Sequence, residues 1–216
     1  MLLAAAEAGA AGPPRLYNSG PARGAGFIRI ANLADGTISV TPAGRAKIEI
    51  SAQDAQRVTQ FEAIAPGKIV ASIQFGGRTR KLDIAIAANE LVTVAVGAAA
   101  NGGIAWTVFR EKPTDFNALR SSLALYPVDK TCTNARLVAD KNTVVIADVA
   151  PGSVGRRAVN PVKAALTVAC ADKPAQLPAE LGALEAGERY SVLILADRSG
   201  TRRVLALRDE MAPTRD

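Results

Sequence analysis

The chain has 216 residues, a net charge of +6 and no histidine, and its 49% hydrophobic content suffices for a packed core. Without histidine there can be no Ser-His-Asp or Cys-His catalytic unit and no histidine zinc site, and two cysteines cannot build an all-thiolate one. The positive balance fits an anionic partner such as nucleic acid, an acidic polysaccharide or a membrane surface, and equally a basic soluble domain with no such ligand.

The first twelve residues hold Leu2 and Leu3, a run of alanines and Glu7 as their only charge. Ala6-Glu7-Ala8 fits the small-x-small exit of a secretory signal, although the basic start is absent and the apolar stretch is short. The segment reads as the tail of a signal peptide whose start lies upstream of Met1, which would make the protein exported and periplasmic. The alternative is an ordinary Ala/Gly-rich terminus. No stretch reaches the ~18 apolar residues of a membrane span.

From Phe27 onward the pattern has period two. A strand Phe27 to Ile30 comes first, and Ile48 and Ile50 then alternate with Lys47 and Glu49. Ile69, Ala71, Ile73 and Phe75 alternate with Val70, Ser72 and Gln74, and Leu82, Ile84 and Ile86 share a face. Gly76-Gly77 between these two runs predicts a tight hairpin. Strands follow at Val92 to Val94, at Ile104 to Arg110, at Leu123 to Tyr126, at Val162 to Cys170, at Ser191 to Leu193 and at Leu205 to Asp209. No long helical period is present. Short alternating strands with Gly, Pro and Asn breaks predict an all-β sandwich or barrel.

The order of elements repeats. Phe27–Ile30 matches Leu123–Tyr126, and the turn Ala65-Pro66-Gly67 matches Ala150-Pro151-Gly152. Ala88-Asn89-Glu90-Leu91 matches Ala186-Gly187-Glu188-Arg189, and Thr107–Glu111 matches Leu205–Asp209. The expectation is two tandem β-sandwich domains, Ig-like or jelly-roll-like, of like topology. They span residues 24–111 and 119–209, with a signal remnant and N-terminal segment at 1–23, a linker at 112–118 and a tail at 210–216. The linker is short and carries Pro113, so the domains are expected to sit end to end. Cys132 and Cys170 both fall in the second domain. In an exported protein they pair, closing a loop of about forty residues for roughly 3–4 kcal/mol in the chain-entropy model. In a cytosolic protein they would be two buried thiols.

The segment Leu16-Tyr17-Asn18-Ser19-Gly20-Pro21-Ala22-Arg23-Gly24-Ala25-Gly26-Phe27-Ile28-Arg29-Ile30-Ala31-Asn32 resembles the start of the periplasmic alginate O-acetylation proteins of the AlgF family. That family opens its mature chain with a Leu-Tyr, then a Pro-basic-Gly, then a Phe-x-Arg strand and an Asn. Asn160-Pro161-Val162-Lys163 is similar to a second family signature, and Pro66-Gly67 and Gly187-Glu188 also fit. The resemblance covers nearly the whole chain. It implies a non-catalytic periplasmic accessory protein made of two β-sandwich domains. Such a protein acts beside a membrane-bound O-acyltransferase and a serine-hydrolase-like periplasmic O-acetyltransferase, with no cofactor. Relatives also serve acetylated cellulose, so the polymer is left open. The two cysteines and the Ala-rich start depart from the family pattern.

Histidine is the usual base for a serine acetyl shuttle, so its absence agrees with an accessory role. The candidate partner- or polysaccharide-binding residues are Tyr17, Arg23, Arg29, Lys68, Asn160 and Lys163. Arg78, Arg80 and Lys81 form a basic cluster after the hairpin, and Arg156 and Arg157 precede the second motif. For each basic residue the plainer reading is a solvated charge that keeps a strand face or edge soluble, and for Asn160 a turn former. Trp106 is expected to be packing rather than a sugar platform, because no second aromatic aligns with it. Nucleic-acid binding fits poorly, since the basic residues are dispersed among acids and stacking residues are few.

Overall fold

The structure, a computed structural model, describes residues 24–99, 101–112, 117–140, 143–171, 173–197 and 199–213. The first half holds β1 (Gly26–Asn32), β2 (Ile38–Pro42), β3 (Ile48–Ile50), β4 (Glu62–Ile64), β5 (Gly67–Phe75), β6 (Arg78–Ile86), β7 (Leu91–Ala98) and β8 (Ile104–Glu111). The second holds β9 (Ser121–Pro127), β10 (Ala135–Ala139), β11 (Thr143–Val149), β12 (Gly155–Val159), β13 (Leu166–Cys170), β14 (Lys173–Ala179), β15 (Arg189–Ala196) and β16 (Arg202–Arg208). One short 3-10 turn, Asp54–Gln56, is the only helical element among the described residues. No described helix is long and apolar enough to cross a membrane.

Each half is a sandwich of two four-stranded sheets, and the halves match strand for strand. The sheets run β4-β1-β7-β8 and β3-β2-β5-β6 in the first, and β12-β9-β15-β16 and β11-β10-β13-β14 in the second. In both, one parallel pair, β1 with β7 and β9 with β15, sits inside an otherwise antiparallel sheet. The equivalence reaches single residues. Asn89 and Gly187 both take positive φ (58° and 78°) at the turn before β7 and β15. The next residue is Glu90 or Glu188, and each accepts hydrogen bonds from an arginine two strands of sequence later, Arg110 or Arg208. The two Ala-Pro-Gly turns, however, are not equivalent. Residues 65–67 join β4 to β5, whereas residues 150–152 join β11 to β12. What they share is a glycine at positive φ, Gly67 at 140° and Gly152 at 79°.

The hairpin at Gly76 and Gly77 forms as expected, with φ of 56° and 73° and Phe75 opposite Arg78. The strand expected from Val162 to Cys170 begins only at Leu166. Pro161 has no amide to donate to a ladder. Val162 is exposed, and Lys163 keeps a single bridge to Ala183. The disulfide Cys132–Cys170 is present, with a Cα separation of 5.1 Å, and both sulfurs belong to the core of the second sandwich.

Each sandwich has its own aliphatic core, around Val40, Ile73, Val92 and Val94 in the first and Leu125, Leu137, Val168 and Val192 in the second. A third core joins them. Ala31, Ala95 and Phe109 from one inner sheet pack against Ala124, Tyr126, Leu193, Leu195 and Leu205 from the other. The domains are therefore stacked face to face, in four layers of sheet. This corrects the end-to-end arrangement expected from the short linker. It also explains why Leu91–Val96 and Tyr190–Leu195 are buried at every residue. A strand covered on both faces has no solvent side on which to place polar residues. After β16 the chain crosses back to the first domain. Phe61 N donates to Glu210 O and Ala212 N donates to Phe61 O, both at 2.8 Å, so Met211 lies parallel to Phe61 at the free edge of β4.

Candidate functional site

Two features stand out by their chemistry: a buried ionic network between the domains and an open cleft in the first domain. The network starts from β1. Its residues alternate, so Ile28 and Ile30 face the first core while Arg29 points at the second domain, where its side chain is 1% exposed. Arg29 Nε donates to Thr93 Oγ1 (2.9 Å), Nη1 to Asp209 Oδ1 (2.7 Å) and Nη2 to Ser191 Oγ (2.8 Å). Its guanidinium lies over the Phe61 ring at 4.3 Å and over the Tyr126 ring at 5.4 Å. Ser191 Oγ donates to Asp209 Oδ1 at 2.6 Å.

Glu111 occupies in the first domain the place that Asp209 occupies in the second, at the end of the last strand. It receives the Tyr126 hydroxyl and the Arg156 guanidinium, both from the second domain. Arg156 also lies 3.5 Å from Asp209 Oδ2. Each domain thus offers one carboxylate to an arginine of the other. Burial alone would push the Asp209 carboxyl up, but Arg29, Arg156 and the hydrogen bonds from Ser191 and Arg29 outweigh it and hold Asp209 below the usual carboxylate range. Burial pushes the Tyr126 hydroxyl up, so it donates as a neutral phenol. Arg189 stands nearby with Nε and Nη2 buried and without hydrogen-bond partners; burial and the charge of Arg156 lower its pKa. The network is interior and each of its two carboxylates, Asp209 and Glu111, is paired with an arginine of the other domain, so its chemistry is that of a lock between domains.

The cleft is different. It opens on the side of the first sandwich where β3 ends one sheet and β4 ends the other, and its volume is about 920 Å³. Its floor is the core itself, with Ile50, Ile64 and Leu82 buried beneath it. Ile48 stands on its rim at 39% exposure. Around the mouth, Arg45 pairs with Glu62, Lys47 with Glu49 at 2.8 Å and Lys68 with Asp83 at 3.0 Å. None of the lining side chains is aromatic. The second domain closes the equivalent edge. There Arg157 Nη1 donates to Val145 O at 2.9 Å, tying β12 to β11. A side chain at Gly155 would collide with Val149 and Ile146 at 2.6 and 2.8 Å, so only glycine permits that approach.

The residues singled out from the sequence do not converge. Tyr17 and Arg23 lie outside the described residues. Arg29 is an interior residue of the domain interface, so it offers no surface for a partner. Asn32, from the same motif, is also interior and donates to the carbonyls of Gly36 and Ile50. Lys68 lies at the cleft mouth, paired with Asp83. Asn160 and Lys163 are exposed on the second domain. Arg80 stacks on Trp106 at 4.1 Å and donates to Ile104 O at 2.7 Å, so the Trp106 ring is packed under an arginine. The one sign of the network in the sequence was the matched pair of acids closing the two repeats, Glu111 and Asp209. The cleft had no sign of its own, because its residues belong to five separate stretches. No three metal-ligating side chains converge among the described residues.

No family model and no curated protein matches the chain. Ten chains of known structure do match. One is a protein from Bacteroides uniformis provisionally assigned to cell adhesion, with 10% identity and a TM-score of 0.30, covering 88% of this chain and 98% of that one.

Proposed function

We propose that this chain is an exported, non-catalytic adaptor of polysaccharide O-acetylation, with alginate the first candidate polymer. The observation that carries the reading is the paired resemblance, Leu16 to Asn32 at the start and Asn160-Pro161-Val162-Lys163 in the second domain. Three further features support it. A chain without histidine lacks the usual base for moving an acetyl group through a serine ester. A buried disulfide suits an oxidising compartment such as the periplasm. Two sandwiches locked into one body make a rigid platform for holding other proteins at a fixed spacing. The partners in this reading are the periplasmic O-acetyltransferase and the membrane-bound O-acyltransferase of the same pathway.

The test is a deletion of this gene in its own host, with the acetyl content of the exported polymer measured by proton NMR. Loss of acetyl groups without loss of polymer is expected. Fully acetylated polymer in the deletion strain would overturn the proposal. A second reading, direct binding of an anionic polysaccharide, draws on the +6 charge and on exposed Lys163. It requires retention on an alginate column at low salt and release at high salt.

A further inference from the structure

We infer that the open edge of the first sandwich is a strand-accepting groove. A partner protein's extended segment adds there beside β4 or β3 and places alternate apolar side chains in the cleft. The edge strands are short, and each is paired on one side only, β3 with β2 and β4 with β1. Backbone groups alternate in direction along a strand. The Phe61 amide and carbonyl face outward to residues 210 and 212, so those of Ala63 face the same way, where no described strand meets them. An unprotected edge beside partly exposed apolar side chains, here Ile48, Ile69 and Val70, is a place where chains add.

Three observations choose a peptide as the occupant. First, the groove continues an existing contact of that kind. The chain's own residues 210–212 already pair with Phe61, and Ala212 and Pro213 form the end wall of the cleft. Second, the equivalent edge of the second domain is shut by Gly155 and Arg157, so an open edge is not a requirement of this fold. Third, the rim charges are matched pairs of both signs, and no aromatic side chain lines the cleft. That surface supplies neither a uniform field for a polyanion nor a stacking face for a sugar, whereas an apolar floor with mixed polar edges suits a polypeptide. The inference stands apart from the pathway proposed above, since a groove of this kind serves an adaptor in any pathway.

The test selects phage-displayed random dodecapeptides on the full chain and measures the synthetic peptides by fluorescence anisotropy. Selected peptides should show alternating apolar residues. They should bind about tenfold or more weakly to Ile48→Glu, a substitution at an exposed rim position that leaves the core intact. Ala63→Pro, which removes an outward-facing amide without taking a donor from the β1–β4 ladder, should weaken them as well, while Val162→Glu on the second domain should not. Failure to select any binder, or binders indifferent to both cleft variants, overturns the inference. Binders that appear only after residues 1–23 are deleted would make the chain's own N-terminal segment the occupant. A dimer in sedimentation that Ile48→Glu dissociates would make it a second copy. Either result also overturns it.

Discussion

Asp209 and Arg29 form an ion pair with almost no solvent exposure on either side. A buried ion pair adds little relative to apolar residues of similar shape, but removing one partner strands the other charge, at a cost of about 3–5 kcal/mol. Asp209→Asn should therefore destabilise the protein by about that much in urea titrations. Arg29→Met with Asp209→Leu should recover most of the loss, because it removes both charges together. The pH dependence follows from the direction of the Asp209 shift. Its folded pKa is depressed, so its stabilisation is complete above the unfolded value of about 3.9 and is lost as pH falls from there toward the folded value. The stability gap between native protein and Asp209→Asn should thus be wide at pH 7 and narrow at pH 3. Arg189 behaves in the opposite sense. Its buried Nε and Nη2 have no hydrogen-bond partners and Arg156 repels it. Arg189→Met should stabilise the protein by about 1 kcal/mol, the order of the cost of an unmet buried donor. A loss of stability in that variant would mean that the guanidinium has a partner in solution.

At the scale of single elements, the hairpins and edges follow from local chemistry. Gly76 and Gly77 occupy backbone conformations that a β-branched residue enters only with strain, so Gly77→Val should cost about 1–2 kcal/mol. The disulfide ties the loop ahead of β10 to the end of β13. Reduction should cost about 3–4 kcal/mol on the chain-entropy estimate, read as a shift of the urea midpoint in reductant. A thiol assay on denatured, unreduced protein should find no titratable sulfur. Alternation made β3, β5 and β6 legible, since one face of each meets solvent. It failed at residues 162–165, where Val162 and Ala164 keep the parity of a strand but the backbone of Val162 and Lys163 makes only isolated contacts with residues 183 and 184. Periodicity counts side chains and is blind to backbone hydrogen bonding.

The whole molecule is one stack of four sheets rather than two beads on a linker. Its middle core draws on both domains, and the ionic network and the returning segment at residues 210–213 cross the same boundary. Unfolding should therefore be a single transition, with the calorimetric enthalpy equal to the van't Hoff enthalpy. Two separated transitions would show that the interface contributes little. Composition and alternation alone determined that the protein is all-β, that it repeats, where the hairpin lies and that histidine chemistry is absent. These are properties of adjacent residues, and adjacency is what a sequence records. Only the tertiary structure decided that the domains stack by their faces, that Arg29 is a lock rather than a contact for a partner, and that one sandwich edge is open while its copy is closed. Each depends on which of two faces a strand buries, or on residues brought together from distant stretches. A doubly buried strand such as β7 and a single-domain core strand present the same apolar run until their neighbours are in place.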